Sequence, residues 1–487
     1  MFVALVVCAT YAFSLDRDVG FWDTGELQTV PYILGLMHPT GFPAEILGGW
    51  AFTHVFALGE PALRMNVFCM LCVVFAAACA CALAQLWRVP ALVAAGAALC
   101  FAFTPVVWAH ATHADVTDPA LALCAAVLLA TVFAIERDAL RALYLASFLA
   151  GLALGTHGMV VWFLPVPLLL VLVARKPALL RAVPLCSVLA VLTAALLYAY
   201  LPVRSAMVTA ANLEPTRALG LGRGMPFIDM GHPSTPSGFL DIVTGRTVDA
   251  PGSLTAIFDV TRFGHDAAFA LAQLQANYPL PLLLGLVALA VFGSWGSLQR
   301  SLLFLPGALV TPFAASFANE SDVSRYYTFP LLCGWVLVAV GLARLVALAP
   351  RYAPDLSRAA AAALVVLTAG EAYGGRALFE QRNDALGSTY IADVLGATEP
   401  NAIVASAWIY ATPLAYASFV RHAAAQRVVV ARPAEELISL LPAWTAERPV
   451  YAIAESPPQV PVAVVFVRAL GVNPGPHDPK LYRLGKP

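Results

Sequence analysis

The chain has 487 residues, of which 60% are hydrophobic and 12% charged, and its mean hydropathy is +0.78. That composition excludes the soluble globular classes and specifies a polytopic helical membrane protein lying in a lipid bilayer. A net charge of −1 offers no basis for nucleic-acid binding or for an acidic partner surface.

Apolar runs bounded by Arg, Pro or polar clusters predict about eleven transmembrane helices. They fall near 1–15, 63–87, 90–108, 118–135, 142–157, 159–174, 183–202, 279–297, 301–317, 329–348 and 359–374. The first run is short of the ~20 residues a crossing needs. Either the true start lies upstream, or residues 16–19 complete the helix at the interface. No basic segment precedes it, so a cleaved signal peptide is not expected. Threaded alternately, the spans place Arg88, Arg137, Arg141, Arg175, Lys176, Arg181, Arg300, Arg344, Arg351 and Arg358 on one side. The short loops opposite carry only Arg17, Arg64 and Arg325. This bias marks the first side as cytoplasmic, with the N-terminus inside and the Asp23 loop outside.

Two larger pieces then face outward. Residues 203–278 read as a long loop rich in Pro and Gly within a transmembrane domain of 1–374. Residues 375–487 show β-like runs at 402–405, 428–431, 450–454 and 462–467, with helical stretches at 411–424 and 434–441. That alternation predicts a small extracytoplasmic α/β appendage. All nine cysteines lie in apolar stretches, so no disulfide framework is expected. Cys69-x-x-Cys72 reads as a pair of small core residues without His or acidic partners.

None of the predicted spans has an Asp, Glu, Lys or Arg near its centre, which argues against ion- or proton-coupled transport. Ionisable and polar groups gather instead at the outer ends: Asp23, Glu26, His38, His110, His113, Asp115, Asp118, His157, Arg204, Asp322, Arg325, Tyr326 and Tyr327. Carboxylates at a lipid boundary suit chemistry on a substrate that is half lipid and half polar. Asp23 and Glu26 share a face if they start a helix, and Gly25 between them permits close approach of a substrate. Asp23 reads equally as a general base for an acceptor hydroxyl or as an N-cap. His38-Pro39-x-Gly-x-Pro43 is a turn whose imidazole either meets a phosphate or sugar hydroxyl or is hydrogen-bonded within the turn. His110, His113, Asp115 and Asp118 are donors of the kind that hold a divalent cation. Their spacing fits no metal motif, and the reading favoured is a solvated loop with Asp118 capping the next helix. His157 ends an apolar run, where a helix C-terminus favours a cation. Arg204 at an outer helix end suits bidentate phosphate binding or snorkelling at the interface.

Several ordered blocks resemble the transmembrane protein O-mannosyltransferases and their bacterial relatives, glycosyltransferase family 117. They are Trp22-Asp23-Thr24-Gly25-Glu26-Leu27, Leu34-Gly35-x-x-His38-Pro39-x-Gly41-x-Pro43, Arg64-Met65-Asn66, and Trp108-Ala109 with Ala114-Asp115-Val116. Further blocks are Gly151 to His157, Leu201-Pro202-Val203-Arg204-Ser205-Ala206, and Gly231 to Arg246. The chain departs from the pattern at Thr24, where Ser is common, and at Asp115, where Glu is more usual. The resemblance covers residues 1 to about 250 clearly and the remainder loosely. It implies a C-superfamily glycosyltransferase fold and transfer of mannose or another hexose from a polyprenyl-phosphate carrier to an extracytoplasmic protein or glycan. Asp23 would then be the base with Glu26 beside it, and Arg204 and His157 would stabilise the leaving phosphate in an inverting transfer. His38, Asp115, Arg325 and Tyr326 would line the substrate site in the cytoplasmic membrane. No cofactor is assigned, and a divalent cation is compatible with the second loop. The rival reading is a polyprenyl-linked glycan translocase or a non-catalytic carrier-binding protein, which a continuous polar path across the bilayer would favour.

Overall fold

The computed structural model of the chain describes residues 1–221, 227–245, 259–316, 323–471 and 478–485. Asp322 and Arg246 lie outside the described residues. Every predicted span coincides with helix, but the helices are often broken. Four described helices are long and apolar enough to cross a membrane alone: Pro61–Leu86, Asp118–Arg137, Pro177–Ala210 and Val323–Ala347. Two bent pairs raise that number to six, so length alone does not carry the eleven crossings expected. The chain is an integral membrane protein.

Local chemistry explains the breaks. Thr104 turns its hydroxyl back to the Cys100 carbonyl at 2.9 Å and Pro105 lacks an N–H, so Ala91–Phe103 and Pro105–Ala111 meet at 67°. The Asn277 side chain accepts the Val106 N–H at 3.0 Å and holds the second piece in place. The second piece carries His110, whose Nδ1 lies 3.0 Å from Asp115 Oδ2. Elsewhere small residues let helices approach closely. A Cβ on Gly293 would stand 2.2 Å from the Leu337 carbonyl oxygen, and one on Gly341 2.1 Å from that of Leu289. The helices Leu280–Ser294 and Thr328–Ala347 therefore pack backbone to backbone.

The segment after the first apolar run is not irregular. It contains the acidic helix Trp22–Ile33 and the helix Pro43–Val55. The described parts of 203–278 are more helical than the Pro and Gly content of the segment suggests. The preceding helix runs on to Ala210, and Pro236–Thr244 and Phe263–Gln275 are helical. Thr235 caps Pro236–Thr244 by accepting the Gly238 N–H at 3.2 Å.

The C-terminal residues build one five-stranded sheet: β1 (Ile403–Ser406), β2 (Val428–Val430), β3 (Val450–Ala454), β4 (Val464–Ala469) and β5 (Lys480–Leu484). The order is β2-β1-β3-β5-β4, parallel across the first three and antiparallel at β5. Trp408–Phe419 crosses from β1 to β2, somewhat earlier than the expected 411–424 helix. β5 was not among the expected strands.

Candidate functional site

No side chain caps the first turn of the acidic helix, so Asp23 does not serve as the N-cap considered above. Its carboxylate accepts a hydrogen bond from Arg325 Nη2 at 3.1 Å. The position near a helix N-terminus also favours negative charge. Arg325 stands in a 3-10 turn, Val323–Tyr327, and its Nη1 lies 3.6 Å from Asp115 Oδ2. The same oxygen is 3.0 Å from His110 Nδ1, and Asp115 Oδ1 accepts the Thr117 N–H at 2.7 Å. One guanidinium thus ties the segments carrying Asp23 and Asp115 together. Its Nε is buried and has no partner among the described residues.

Glu26 is fully buried and accepts the His38 backbone N–H at 2.9 Å, while its other oxygen pairs with His38 Nδ1. The His38 turn is therefore folded onto the acidic helix, with the imidazole hydrogen-bonded to Glu26. Burial alone would raise the Asp23 pKa, but the charges of His38 and Arg325 outweigh it and hold the carboxyl below its usual value. Burial opposes a charged His38, yet Glu26 and Asp23 raise its pKa to about 9, so it is an imidazolium at neutral pH. Asp115 is held well below the carboxylate range because His110 and Arg325 overcome its burial.

The segment 110–118 is not the solvated loop expected. His110, Asp115 and Asp118 are all buried, and Asp118 caps nothing: both its oxygens lack partners among the described residues. Glu45, in the first turn of Pro43–Val55, is likewise buried and unpaired. Burial and then the fields of Asp115 and Asp118 push it well above the carboxylate range, so it is protonated. Cys69 and Cys72 lie within electrostatic reach of Glu45 and Asp118. The expectation that this pair has no acidic neighbours is corrected, because helix packing brings in residues remote in sequence.

His157 stacks between Phe42, at 5.4 Å, and Tyr326, at 5.7 Å, and its Nδ1 accepts the Met159 N–H at 3.0 Å. Burial, Arg325 and His38 lower its pKa to about 3. It is neutral and cannot act as the expected cation. Arg204 stands apart from the cluster. Its guanidinium donates to the carbonyls of Leu34 and Ile33, satisfying the exposed end of the acidic helix.

Asn66, not singled out for chemistry from the sequence, is a structural hub. Its side-chain oxygen accepts from Gln28 Nε2 at 3.0 Å and the Ala114 N–H at 2.9 Å, and its Nδ2 donates to the Asp16 carbonyl at 3.0 Å. The available signal was the Arg64-Met65-Asn66 block. Gly25 is also reassigned. A Cβ there would stand 2.6 Å from the Gly20 carbonyl and 2.8 Å from Thr412 Oγ1, so its small size admits protein rather than a substrate.

Two sets bring candidate metal-ligand atoms within 4.8 Å of one another: His110, His113 and Asp115, and Asp23, Glu26 and His38. Their donors suit a divalent cation, but Arg325 and the His38 imidazolium already supply the carboxylates with positive charge. Beyond Arg325, an apolar cavity of about 610 Å³ lies between Phe263–Gln275, Leu280–Ser294, Leu305–Ser316 and Thr328–Ala347. Tyr327, two residues from Arg325, is in its wall.

Residues 23–180 match the profile of the Protein O-mannosyl-transferase TMEM260 N-terminal domain. Over that stretch the chain is similar to the protein O-mannosyltransferases. It is 30% identical over 210 residues to Protein O-mannosyl-transferase TMEM260 of Mus musculus. That alignment covers 41% of this chain and 29% of the mouse protein, so the chain spans under a third of the relative it matches. The fold is similar to the crystal structure of ArnT from Cupriavidus metallidurans in the apo state. The TM-score is 0.56 at 15% identity, covering 100% of this chain and 98% of that one. This likeness is one of fold. The matched O-mannosyltransferase domain opens at Asp23 and includes Glu26, His38, Asp115 and His157, whereas Arg204 and Arg325 lie beyond it.

Proposed function

We propose that this chain is a glycosyltransferase that moves a hexose, mannose being the first candidate, from a polyprenyl-phosphate carrier to a hydroxyl of an extracytoplasmic protein or glycan. The observation that carries the reading is the Asp23–Arg325–Asp115 bridge, with the Glu26–His38 pair beside it and an apolar cavity that includes Tyr327, two residues from Arg325, in its wall. Such an arrangement offers an ionised carboxylate for the acceptor, fixed cations for a phosphate and an apolar environment for a lipid tail. The cavity wall is mostly aliphatic and aromatic, which suits a polyprenyl chain better than the polar path a glycan translocase needs.

In the reaction, the acceptor oxygen bonds to the sugar's anomeric carbon as the carbon–oxygen bond to phosphate breaks. The acceptor proton passes to Asp23, and the bonding pair leaves with the polyprenyl phosphate. Pairing with Arg325 makes Asp23 a weak base. A donor phosphate drawing on the Arg325 guanidinium, whose Nε is unpaired, would loosen that pair and restore basicity. Donor binding would thus activate the base. His38 supplies a second positive charge and is oriented by Glu26. The excess of basic residues in the opposite loops supports placing this chemistry on the extracytoplasmic side of the cytoplasmic membrane.

Deletion of the gene followed by mass spectrometry of glycoproteins and glycans tests the reading. The expected result is loss of a hexose from a defined extracytoplasmic product. An unchanged profile of linked hexoses would overturn it.

A further inference from the structure

The C-terminal sheet and its helices grip the acidic helix and the segment leading into it. Asp18 accepts the Ser388 N–H at 2.8 Å and also the Ser388 hydroxyl. The Val19 carbonyl lies so close to Gly387 that a Cβ there would stand 1.9 Å from its oxygen. Phe21 packs edge-on against Tyr390 with ring centroids 5.3 Å apart. Thr412 closes over Gly25, as described above. Trp408, at the start of its helix, sits edge-on to His38 at 6.2 Å and stacks on Phe227 at 5.5 Å. A second anchor holds the entry to Pro61–Leu86: Arg421 pairs with Glu60 at 2.7 Å, and the Tyr416 hydroxyl accepts the Ala62 N–H at 3.1 Å.

These contacts converge on one short segment. Asp23 lies between the residue that meets Tyr390 and the glycine that meets Thr412. The backbone is constrained there too, because Trp22 adopts a left-handed φ of 53° while half its surface is exposed. A bulky residue in that region costs about 1–3 kcal/mol and persists only where its surroundings enforce it. Those surroundings include the sheet domain.

We propose that the C-terminal α/β unit is a positioning element of the catalytic centre, fixing where the Asp23 carboxylate stands. It does more than recruit an acceptor. The inference rests on the reading of Asp23 as the group at the reacting centre. Gly387, Asp18, Tyr390, Thr412 and Trp408 act through the acidic helix and His38, and are positioning residues. Misplacing a reacting group by about 1 Å can cost on the order of 10²-fold in rate.

Gly387 and Gly396 belong to the same helix, Leu386–Ala397, and give a matched pair. Gly387→Ala must push the Val19 carbonyl away, whereas a Cβ on Gly396 meets nothing within 4 Å. The test uses the full chain in liposomes with a polyprenyl-phosphate mannose and no acceptor, and reads mannose released to water. A domain that only recruits acceptor cannot affect that reaction. Gly387→Ala is expected to lower kcat by about tenfold or more with donor KM unchanged, and Gly396→Ala to match wild type. Hydrogen exchange should quicken in residues 16–28 of Gly387→Ala while the membrane helices keep their protection. Asp18→Asn, which keeps the side-chain shape, should repeat the pattern more weakly and serves if Gly387→Ala does not fold. Unchanged kcat in a folded variant, or unchanged exchange over 16–28, would overturn the proposal. If wild type releases no sugar from any polyprenyl-phosphate hexose, the proposed function fails instead, and the exchange measurement still decides whether the sheet domain holds the segment.

Discussion

Removing Arg325 should destabilise the protein in a pH-dependent way. Its guanidinium is 13% exposed and serves Asp23, 21% exposed, and Asp115, 3% exposed. An ion pair near 4 Å at an effective dielectric of ~20 is worth about 4 kcal/mol in Coulomb energy. Leaving a buried charge unpaired costs about 3–5 kcal/mol. Asp115 keeps His110 and Thr117, so the loss falls mainly on Asp23, and Arg325→Met should cost about 3 kcal/mol at neutral pH. The sign follows from the lowered Asp23 pKa. In wild type its contribution is present above the unfolded carboxylate pKa of ~3.9 and is lost as pH falls through the lower folded value. Without Arg325 that folded value rises. The variant's deficit should therefore be full at pH 7.5 and shrink towards pH 5 as Asp23 takes up a proton. Thermal unfolding in detergent at the two pH values measures this. Arg325→Lys keeps the charge but cannot span both carboxylates, so it should recover stability in part and donor use hardly at all. Equal deficits at both pH values, or full activity in Arg325→Lys, would refute the bridge as drawn.

Arg204→Lys should lower stability by about 1 kcal/mol through lost hydrogen bonds at the end of the acidic helix, with donor KM unchanged in steady-state assays. A rise in donor KM without loss of stability would return Arg204 to the phosphate site. The pKa of about 9 at His38 lies above the ordinary value of ~6.5. Its contribution to stability is therefore complete below about 6.5 and lost as pH rises through about 9, and the rate should show a high-pH limb there. His38→Gln should abolish that limb and move the acid limb upward, because Asp23 loses a neighbouring positive charge. An unaltered pH–rate profile would remove His38 from the mechanism.

The first-loop groups were legible because they are local: Asp23, Glu26 and His38 lie within sixteen residues and meet through one helix and one turn. Asp115 was legible as a member of a polar cluster but not as a buried one, since burial depends on the bend at Pro105. Arg325 was a candidate whose partner could not be named, because 302 positions separate it from Asp23. Arg204 and His157 show the converse. Each has the right residue type at a helix end, yet one caps carbonyls and the other is kept neutral by its neighbours. Gly25 was legible as a site of close approach, but what approaches is Thr412 of the C-terminal sheet domain. Strand β5 went unrecognised because Lys480–Leu484 lacks the Val and Ile residues that mark the other four strands. The number of crossings was obscured by helices that break at Pro or Thr and continue in another direction.

The account rests on Asp23 as the group that receives the acceptor's proton. The most direct measurement is sugar transfer by the purified full chain in liposomes, from a polyprenyl-phosphate mannose to its acceptor, comparing wild type with Asp23→Asn. The substitution keeps the side chain's shape and removes its basic charge. The rate should fall by about 10²-fold or more, with the variant folded and donor affinity retained. Transfer by Asp23→Asn at close to the wild-type rate would contradict it.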